Sequence, residues 1–257
     1  MTGISLSLSN KTALITGGSR GIGAAAVRMF TAAGARVAFN YQKSRSEADK
    51  LATQCGADKA FALQADLSSA EAGEALVRSA VQRLGRLDIL VANHGIWPPE
   101  DLGIEAMPAD RWRHTTAVNL ESVYGLVKAA VGQMKAQGDG GKIVIVSSTA
   151  GQRGEAFHSD YAATKGAIIS MVKGLSTELA RDRIYVNCVA PGWVDTDMSA
   201  DVLHNPELNK RVFSVIPLGR AGTAEEIAAP ILFLCTEHAG FITGEVFNVN
   251  GGAVLAG

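Results

Sequence analysis

The chain has 257 residues, and 47% of them are hydrophobic, which is enough apolar material for one large α/β core. Its 24 basic and 25 acidic residues give a net charge of −1, and no charged block stands out along the sequence. These values exclude nucleic acid and membrane surfaces as expected partners. The three cysteines lack the paired spacing of a zinc or thioredoxin-like centre, and no signal peptide or membrane span is predicted, so we expect buried thiols and a cytoplasmic protein.

Short β-branched runs alternate with longer alanine-rich stretches from Lys11 onward, which is typical of repeated βαβ units. Several of the runs are almost wholly apolar and suit strands that are covered on both faces. We therefore predict one domain over residues 1–257, an α/β Rossmann fold with a doubly wound parallel seven-stranded sheet, helices on both faces and a ligand crevice at the carboxyl ends of the strands. The predicted strands are 11–16, 35–41, 59–65, 87–92, 142–147, 183–189 and 245–249.

A glycine-rich turn follows the first predicted strand and precedes a helical run. In such turns glycines permit positive φ, close approach of a pyrophosphate and tight packing of helix on strand, while the helix N-terminus attracts phosphate. The alternative is a tight turn without a ligand, but the position after the first strand favours a dinucleotide site. Its candidate residues are Gly17, Ser19, Arg20, Gly21, Ile22 and Gly23.

The end of the second strand predicts which dinucleotide is bound. NAD sites usually carry a carboxylate there for the ribose hydroxyls, whereas this chain has Tyr41 followed by Lys43 and Ser44. Together with Arg20, these residues favour NADP(H) over NAD(H), because a cation and a hydroxyl can hold a 2′-phosphate. Simple surface charge is the alternative for the lysine.

The third and fourth strands each end in candidate cofactor contacts. Asp66 and Leu67 follow the third strand, and Asn93 and Gly95 follow the fourth. We expect Asp66 to accept from the adenine amino group, with an N-cap of the next helix as its alternative or additional role. Asn93 and Gly95 would line the cofactor ribose and brace the sheet.

A tyrosine and a lysine at i and i+4 form the catalytic hypothesis. Tyr161 and Lys165 would share one face of a helix, where the ammonium and a positive nicotinamide would favour the phenolate, so that the tyrosine exchanges a proton with a substrate oxygen. Ser148, preferred to Ser147 by its spacing, would donate to the developing alkoxide. Asn119 would hold a water beside the lysine. A surface packing pair is the alternative for the Tyr-x-x-x-Lys spacing alone.

With these motifs the chain resembles the short-chain dehydrogenase/reductase family from Thr12 to Gly252, and 3-oxoacyl-acyl-carrier-protein reductases within it. The resemblance implies an active site formed by Asn119, Ser148, Tyr161 and Lys165. It also implies a homotetramer, with Leu232–Cys235 and the tail from Ala253 suited to the interface. It also implies nicotinamide contacts from Pro191, Gly192, Val194 and Thr196. His94 departs from the family, which usually has alanine there, and puts packing near the cofactor in doubt.

The substrate stays open at this stage. A small carbonyl or alcohol is expected, either a 3-oxoacyl group on an acyl carrier protein or a ketone, sugar or polyol. Lys135, Arg181 and Arg183 would receive an acidic carrier beside the site, although their register is imperfect. A non-catalytic NADP-binding regulator is the alternative function.

Two loops, 94–108 and 195–220, are expected to overhang the crevice. On them Trp97, Trp193 and Met198 either wall a partly apolar substrate pocket or anchor the loops to the core. His114 and His158 lack partners at ligand spacing, so no metal is expected.

Overall fold

The computed structural model describes residues 5–255. Every predicted strand is present, and each end lies within two residues of its predicted position. The second loop region is not irregular throughout, since it contains two short helices after residue 199. The strands are β1 (Thr12–Ile15), β2 (Arg36–Tyr41), β3 (Ala60–Gln64), β4 (Ile89–Ala92), β5 (Gly141–Val146), β6 (Ile184–Pro191) and β7 (Val246–Val249).

Helices connect the strands. Each crossover from one strand to the next parallel strand carries at least one helix, as parallel pairing requires. The helices are α1 (Gly21–Ala32), α2 (Arg45–Cys55), α3 (Ala70–Leu84), α4 (Ala109–Thr116), α5 (Ser122–Gln137), α6 (Thr149–Arg153), α7 (Ser159–Leu179), α8 (Ala200–Leu203), α9 (Pro206–Ser214) and α10 (Ala224–Cys235), with a π-helical turn at Ala117–Glu121 between α4 and α5.

The sheet has the order β3-β2-β1-β4-β5-β6-β7, and all six pairings are parallel. The prediction of a doubly wound parallel sheet is confirmed. Chain direction across the sheet reverses between β1 and β4, and the crossovers on the two sides of this switch point leave a crevice at the carboxyl ends of the strands. This geometry places the glycine-rich turn after β1 next to the residues that follow β4.

Two apolar clusters fill the space on the two faces of the sheet. Ala13 and Ile15 of β1 pack in one cluster with Phe30 of α1, whereas Leu14 packs in the other with Leu126 of α5. Successive strand residues point to opposite faces, so a strand that is covered on both sides must be apolar at every position. This explains why the strands showed continuous rather than alternating hydrophobicity.

The cysteines differ from the expectation in one case. Cys188 and Cys235 are buried, but Cys55 at the end of α2 is only half-buried, because α2 presents just two buried side chains to the sheet. Within residues 5–255, no helix combines the length and apolar content needed to cross a bilayer.

Candidate active site

A cleft of about 430 Å³ opens at the carboxyl ends of β1, β2, β4, β5 and β6. It brings together nearly all the residues that the sequence proposed for cofactor and substrate. Two do not line it: Gly23 packs beneath the glycine loop, and Asn119 is fully buried behind Gly95. The proposed residues that do line it are Gly17, Ser19, Arg20, Gly21, Ile22, Tyr41, Lys43, Ser44, Asp66, Leu67, Asn93, Gly95, Ser148, Tyr161, Lys165, Pro191, Gly192, Val194 and Thr196.

The loop after β1 is fixed by a residue that sequence reasoning did not single out. Asn40, buried near the end of β2, accepts from the Gly17 N–H over 2.7 Å and donates to the Ala65 carbonyl over 3.1 Å. On the other side, Asn93 donates to the Thr16 carbonyl over 3.0 Å. An asparagine within an otherwise apolar, buried strand was the signal available in the sequence, since a buried amide requires partners.

The glycine loop passes the test for a dinucleotide cradle. Gly17 has φ +62°, and a Cβ on Gly23 would lie 2.1 Å from the Gly17 carbonyl oxygen, so neither position accepts a side chain without displacing the loop. Helix α1 begins at Gly21 without a side-chain cap, which leaves its first-turn N–H groups facing the cleft side of the turn. These features fit a pyrophosphate at this helix N-terminus.

The far end of the cleft carries the residues proposed to select the dinucleotide. Tyr41 closes β2, and the exposed Lys43 lies beyond it. Arg20 forms an ion pair with Asp197, with 3.1 Å between the guanidinium nitrogen and the carboxylate oxygen, so a carboxylate from the post-β6 loop meets the cation across the cleft. The N-cap of α3 is Ser69, so the prediction that Asp66 caps this helix is wrong. The Asp66 side chain is instead exposed in the cleft.

Tyr161 and Lys165 lie on the first turns of α7 and both face the cleft. Burial raises the pKa of Tyr161 to about 12, and a hydrogen bond with Ser148 opposes that rise. Burial also lowers the pKa of Lys165 to about 8, although its Nζ donates to the Val146 carbonyl over 2.9 Å. In the chain alone, desolvation of the phenol, with a smaller rise from the charge of Glu155, outweighs the hydrogen bond with Ser148.

Ser148 lies two residues after the end of β5 and is the N-cap of α6. Its Oγ accepts from the Ala150 N–H over 3.1 Å, and its hydroxyl also hydrogen-bonds with Tyr161, so a substrate oxygen that contacts the tyrosine would lie within reach of both hydroxyls. Ser147 is occupied elsewhere, because it donates to the Lys165 carbonyl over 2.8 Å and is buried. The contacts of the two serines favour Ser148 as the substrate donor.

Asn119 sits in the π-helical turn, where an extra backbone residue redirects its side chain toward the loop after β4. Its Oδ1 accepts from the Ile96 N–H over 2.8 Å, and its Nδ2 donates to the Ile96 carbonyl over 2.9 Å. A Cβ on Gly95 would lie 3.2 Å from Asn119 Oδ1 and 3.4 Å from Lys165 Nζ. The asparagine therefore holds the loop against the lysine.

The substrate end of the cleft has aromatic walls formed by Trp97 and Trp193, and Met198 also lines it. Of the two roles expected for these residues, their positions agree with the pocket wall. Trp97 stacks on His158 with 4.6 Å between ring centroids and meets Trp193 edge-on at 6.2 Å. Its indole N–H donates to Glu155 over 3.2 Å. Sequence reasoning missed Glu155, which lies seven residues after Ser148 without any recognisable motif.

The basic residues proposed to receive a carrier protein do not lie beside this cleft. Arg181 and Arg183 follow the far end of α7, about 27 Å along the helix from Tyr161. Lys135 pairs with Asp182 over 2.9 Å at the same edge. This expectation is wrong because α7 runs away from the crevice to the amino end of β6. Among the described residues, no group of three or more His, Cys, Asp or Glu side chains is arranged to hold a metal.

The chain is similar to known proteins over almost its whole length. The family model described as Enoyl-(Acyl carrier protein) reductase matches residues 17–254. The chain is 39% identical over 249 residues to the 3-oxoacyl-[acyl-carrier-protein] reductase FabG of Chlamydia muridarum, covering 95% of this chain and 98% of that protein. It is 38% identical over 250 residues to the L-rhamnose 1-dehydrogenase (NAD(P)(+)) of Azotobacter vinelandii, covering 95% and 97%.

The solved structure of 3-ketoacyl-(acyl-carrier-protein) reductase from Brucella melitensis complexed with NADH superposes with a TM-score of 0.88 at 30% identity, covering 97% of this chain and 100% of that one. Fold, site and relatives together define an oxidoreductase that depends on a nicotinamide dinucleotide. The chain belongs to the short-chain dehydrogenase/reductase family. The resemblance inferred from its motifs is confirmed.

Proposed function

We propose that the chain interconverts a carbonyl and a secondary alcohol with NADP(H), using Tyr161, Lys165, Ser148 and Asn119. The observation that carries this proposal is the position of Tyr161 and Lys165 in the same cleft as the glycine loop, with the Ser148 hydroxyl in hydrogen-bond contact with Tyr161. When bound, the nicotinamide supplies or accepts the hydride.

Each side chain has a defined part in the proposed chemistry. During reduction the Tyr161 hydroxyl donates a proton to the substrate oxygen, and during oxidation its phenolate takes that proton back. Ser148 donates a hydrogen bond to the same oxygen and fixes its position. Lys165 carries the charge that favours the phenolate, and Asn119 holds the loop against it.

Turnover tests the proposal directly. Protein is mixed with NADPH and a carbonyl panel while nicotinamide absorbance is followed, and Tyr161→Phe is compared with Tyr124→Phe, whose side chain is half exposed on α5. We expect the first variant to lose activity by about 100-fold or more and the second to keep it. Turnover that persists in Tyr161→Phe contradicts the mechanism, and cofactor binding without turnover in the unaltered protein supports a regulator instead.

The choice of NADP(H) rests on the residues at the end of β2. Arg20, Lys43 and Ser44 line that end of the cleft, and Tyr41 stands where a carboxylate would repel a 2′-phosphate. Titration of the protein with NADH and NADPH tests this choice, and tighter NADH binding would contradict it.

The proposal also covers the oligomeric state of the protein and its place in the cell. A homotetramer in the cytoplasm is expected, with Leu255 and Phe241 as exposed apolar residues for an interface. Leu232, Leu234 and Cys235 are buried in the core of the single chain, so most of the Leu232–Cys235 group is not available for one. The molar mass of the protein and of Leu255→Asp, measured by light scattering, tests the assembly. If the unaltered protein has the mass of a monomer, the proposed homotetramer is contradicted.

A further inference from the structure

The substrate end of the cleft contains a carboxylate that the proposed mechanism does not use. Glu155 is half-buried, lines the cleft and accepts from the Trp97 indole over 3.2 Å. Burial raises the pKa of this carboxyl group. A carboxylate has about four acceptor positions, and one indole N–H satisfies only one of them. A substrate that covers this wall must therefore bring hydrogen-bond donors or leave the carboxylate desolvated.

The indoles beside Glu155 give the complementary apolar surface. Trp97 and Trp193 both line the cleft, meet edge-on and combine apolar rings with polar N–H groups. A sugar or polyol has C–H groups that pack against aromatic rings and hydroxyls that donate to carboxylates. An acyl chain offers the first kind of contact but not the second.

This wall is fixed before any substrate arrives. Phe157 has φ +66°, a backbone conformation that phenylalanine rarely adopts, and its carbonyl accepts from Leu102 N–H over 3.3 Å. His158 contacts the Pro98 carbonyl over 2.9 Å and stacks on Trp97. The turn that carries Glu155 is thus tied to the loop after β4, and a prearranged site loses less entropy on binding.

From these contacts we infer that the cleft selects a polyhydroxylated, sugar-like alcohol or carbonyl rather than a 3-oxoacyl thioester, with Glu155 as the residue that recognises hydroxyl groups. The inference rests on the proposed function, because it concerns the substrate of the same reaction.

Binding can be measured apart from turnover, because the sequence has three tryptophans and two of them line the cleft. Trp112 lies on α4 away from the cleft, so Trp112→Phe confines the fluorescence to Trp97 and Trp193. Tyr161→Phe is added to this variant so that bound substrate is not turned over, and the protein, saturated with NADP⁺, is titrated with L-rhamnose, ribitol and an acetoacetyl thioester. We expect saturable quenching by a sugar or polyol and none by the thioester at equal concentration.

Turnover of the same compounds and of cyclohexanone is then compared in Glu155→Gln and in Glu178→Gln, an exposed glutamate at the far end of α7. We expect Glu155→Gln to lower kcat/KM for hydroxylated substrates by about 10- to 100-fold and to change kcat/KM for cyclohexanone much less, because only the small effect of the Glu155 charge on Tyr161 is then lost. Glu178→Gln should change neither.

Two results overturn the inference. One is thioester turnover that exceeds every sugar and polyol and is insensitive to Glu155→Gln, and the other is the absence of quenching by every hydroxylated compound. A failure of the proposed function looks different, since no compound is then turned over although NADPH binds.

Discussion

The Nε2 of His94 lies 2.7 Å from the hydroxyl oxygen of Ser122. Ser122 donates its only proton to the Val118 carbonyl over 2.7 Å, so its oxygen accepts from His94. Burial lowers the pKa of His94 and keeps the ring neutral, so with the proton on Nε2 the other ring nitrogen, Nδ1, accepts from Thr16 over 2.8 Å. The histidine that departs from the family pattern thus joins the end of β1 to the turn that carries Asn119.

Removal of this ring should destabilise the fold. His94→Ala leaves the fully buried Thr16 and Ser122 hydroxyls without one partner each, and we expect a loss of about 2–3 kcal/mol in the free energy of unfolding. Urea unfolding measures it. The exposed His114 provides the control, and His114→Ala should change stability little. Equal stability of the two variants would show that the ring is not a brace.

The same histidine predicts how stability depends on pH. Burial, then the charge of Lys165, lowers the pKa of His94 from 6.5 to about 3. Between these values the unfolded chain binds a proton that the folded chain does not, so stability falls as the pH drops from 6.5 toward 3, by at most about 1.4 kcal/mol per pH unit. His94→Ala should lose this component, which unfolding curves across the range would reveal as a shallower slope.

A buried ion pair supports the residue before the proposed catalytic tyrosine. Asp160 is fully buried and accepts from Arg111 over 3.1 Å and from Thr115 over 2.9 Å. Asp160→Asn removes the negative charge beside a guanidinium that is only 10% exposed, although Arg111 keeps its hydrogen bond to the Glu100 carbonyl over 2.7 Å, and we expect about 1–3 kcal/mol of destabilisation together with lower activity.

The exposed Lys135–Asp182 pair gives the matched control for that charge removal. Asp182→Asn removes a carboxylate from a surface ion pair of similar length, so thermal unfolding should show a much smaller shift. If the two variants show similar shifts in unfolding temperature, burial of the Arg111–Asp160 pair does not increase its contribution to stability.

The reduction rate should fall as Lys165 loses its charge. Because burial lowers the pKa of this lysine to about 8 and raises that of Tyr161 to about 12, the tyrosine stays protonated while the lysine titrates. We expect kcat/KM for reduction to decline above about pH 8. In Lys165→Arg the guanidinium keeps its charge, so the residual activity should decline only at higher pH. If kcat/KM of Lys165→Arg declines with the same pH midpoint as that of the unaltered protein, a group other than Lys165 causes the decline.

Asp197 should weaken the preference for NADP(H). Its carboxylate neutralises Arg20 at 3.1 Å and would repel a 2′-phosphate at the same place. Asp197→Asn is therefore expected to tighten NADPH binding several-fold in a fluorescence titration and to leave NADH binding nearly unchanged. Equal gains for both dinucleotides would indicate that Arg20 does not contact the extra phosphate.

The sequence determined the order of strands and helices along the chain, because the inner strands are covered on both faces and are almost wholly apolar. Its glycines also marked the turn between β1 and α1, where Gly17 has positive φ beside a helix N-terminus. It also placed Tyr161 and Lys165 on one helix face, since that relation follows from local geometry.

Only the tertiary structure decided the contacts between segments that are distant in the chain. It showed that Asn40 holds the glycine loop, that Asp197 reaches Arg20, and that Glu155 joins Trp97, pairs with separations of 23, 177 and 58 residues. It also showed that Arg181 and Arg183 lie at the amino end of β6, opposite the carboxyl ends of the strands where the cleft opens. Local patterns cannot reveal such relations, because they arise from how the helices and loops pack around the completed sheet.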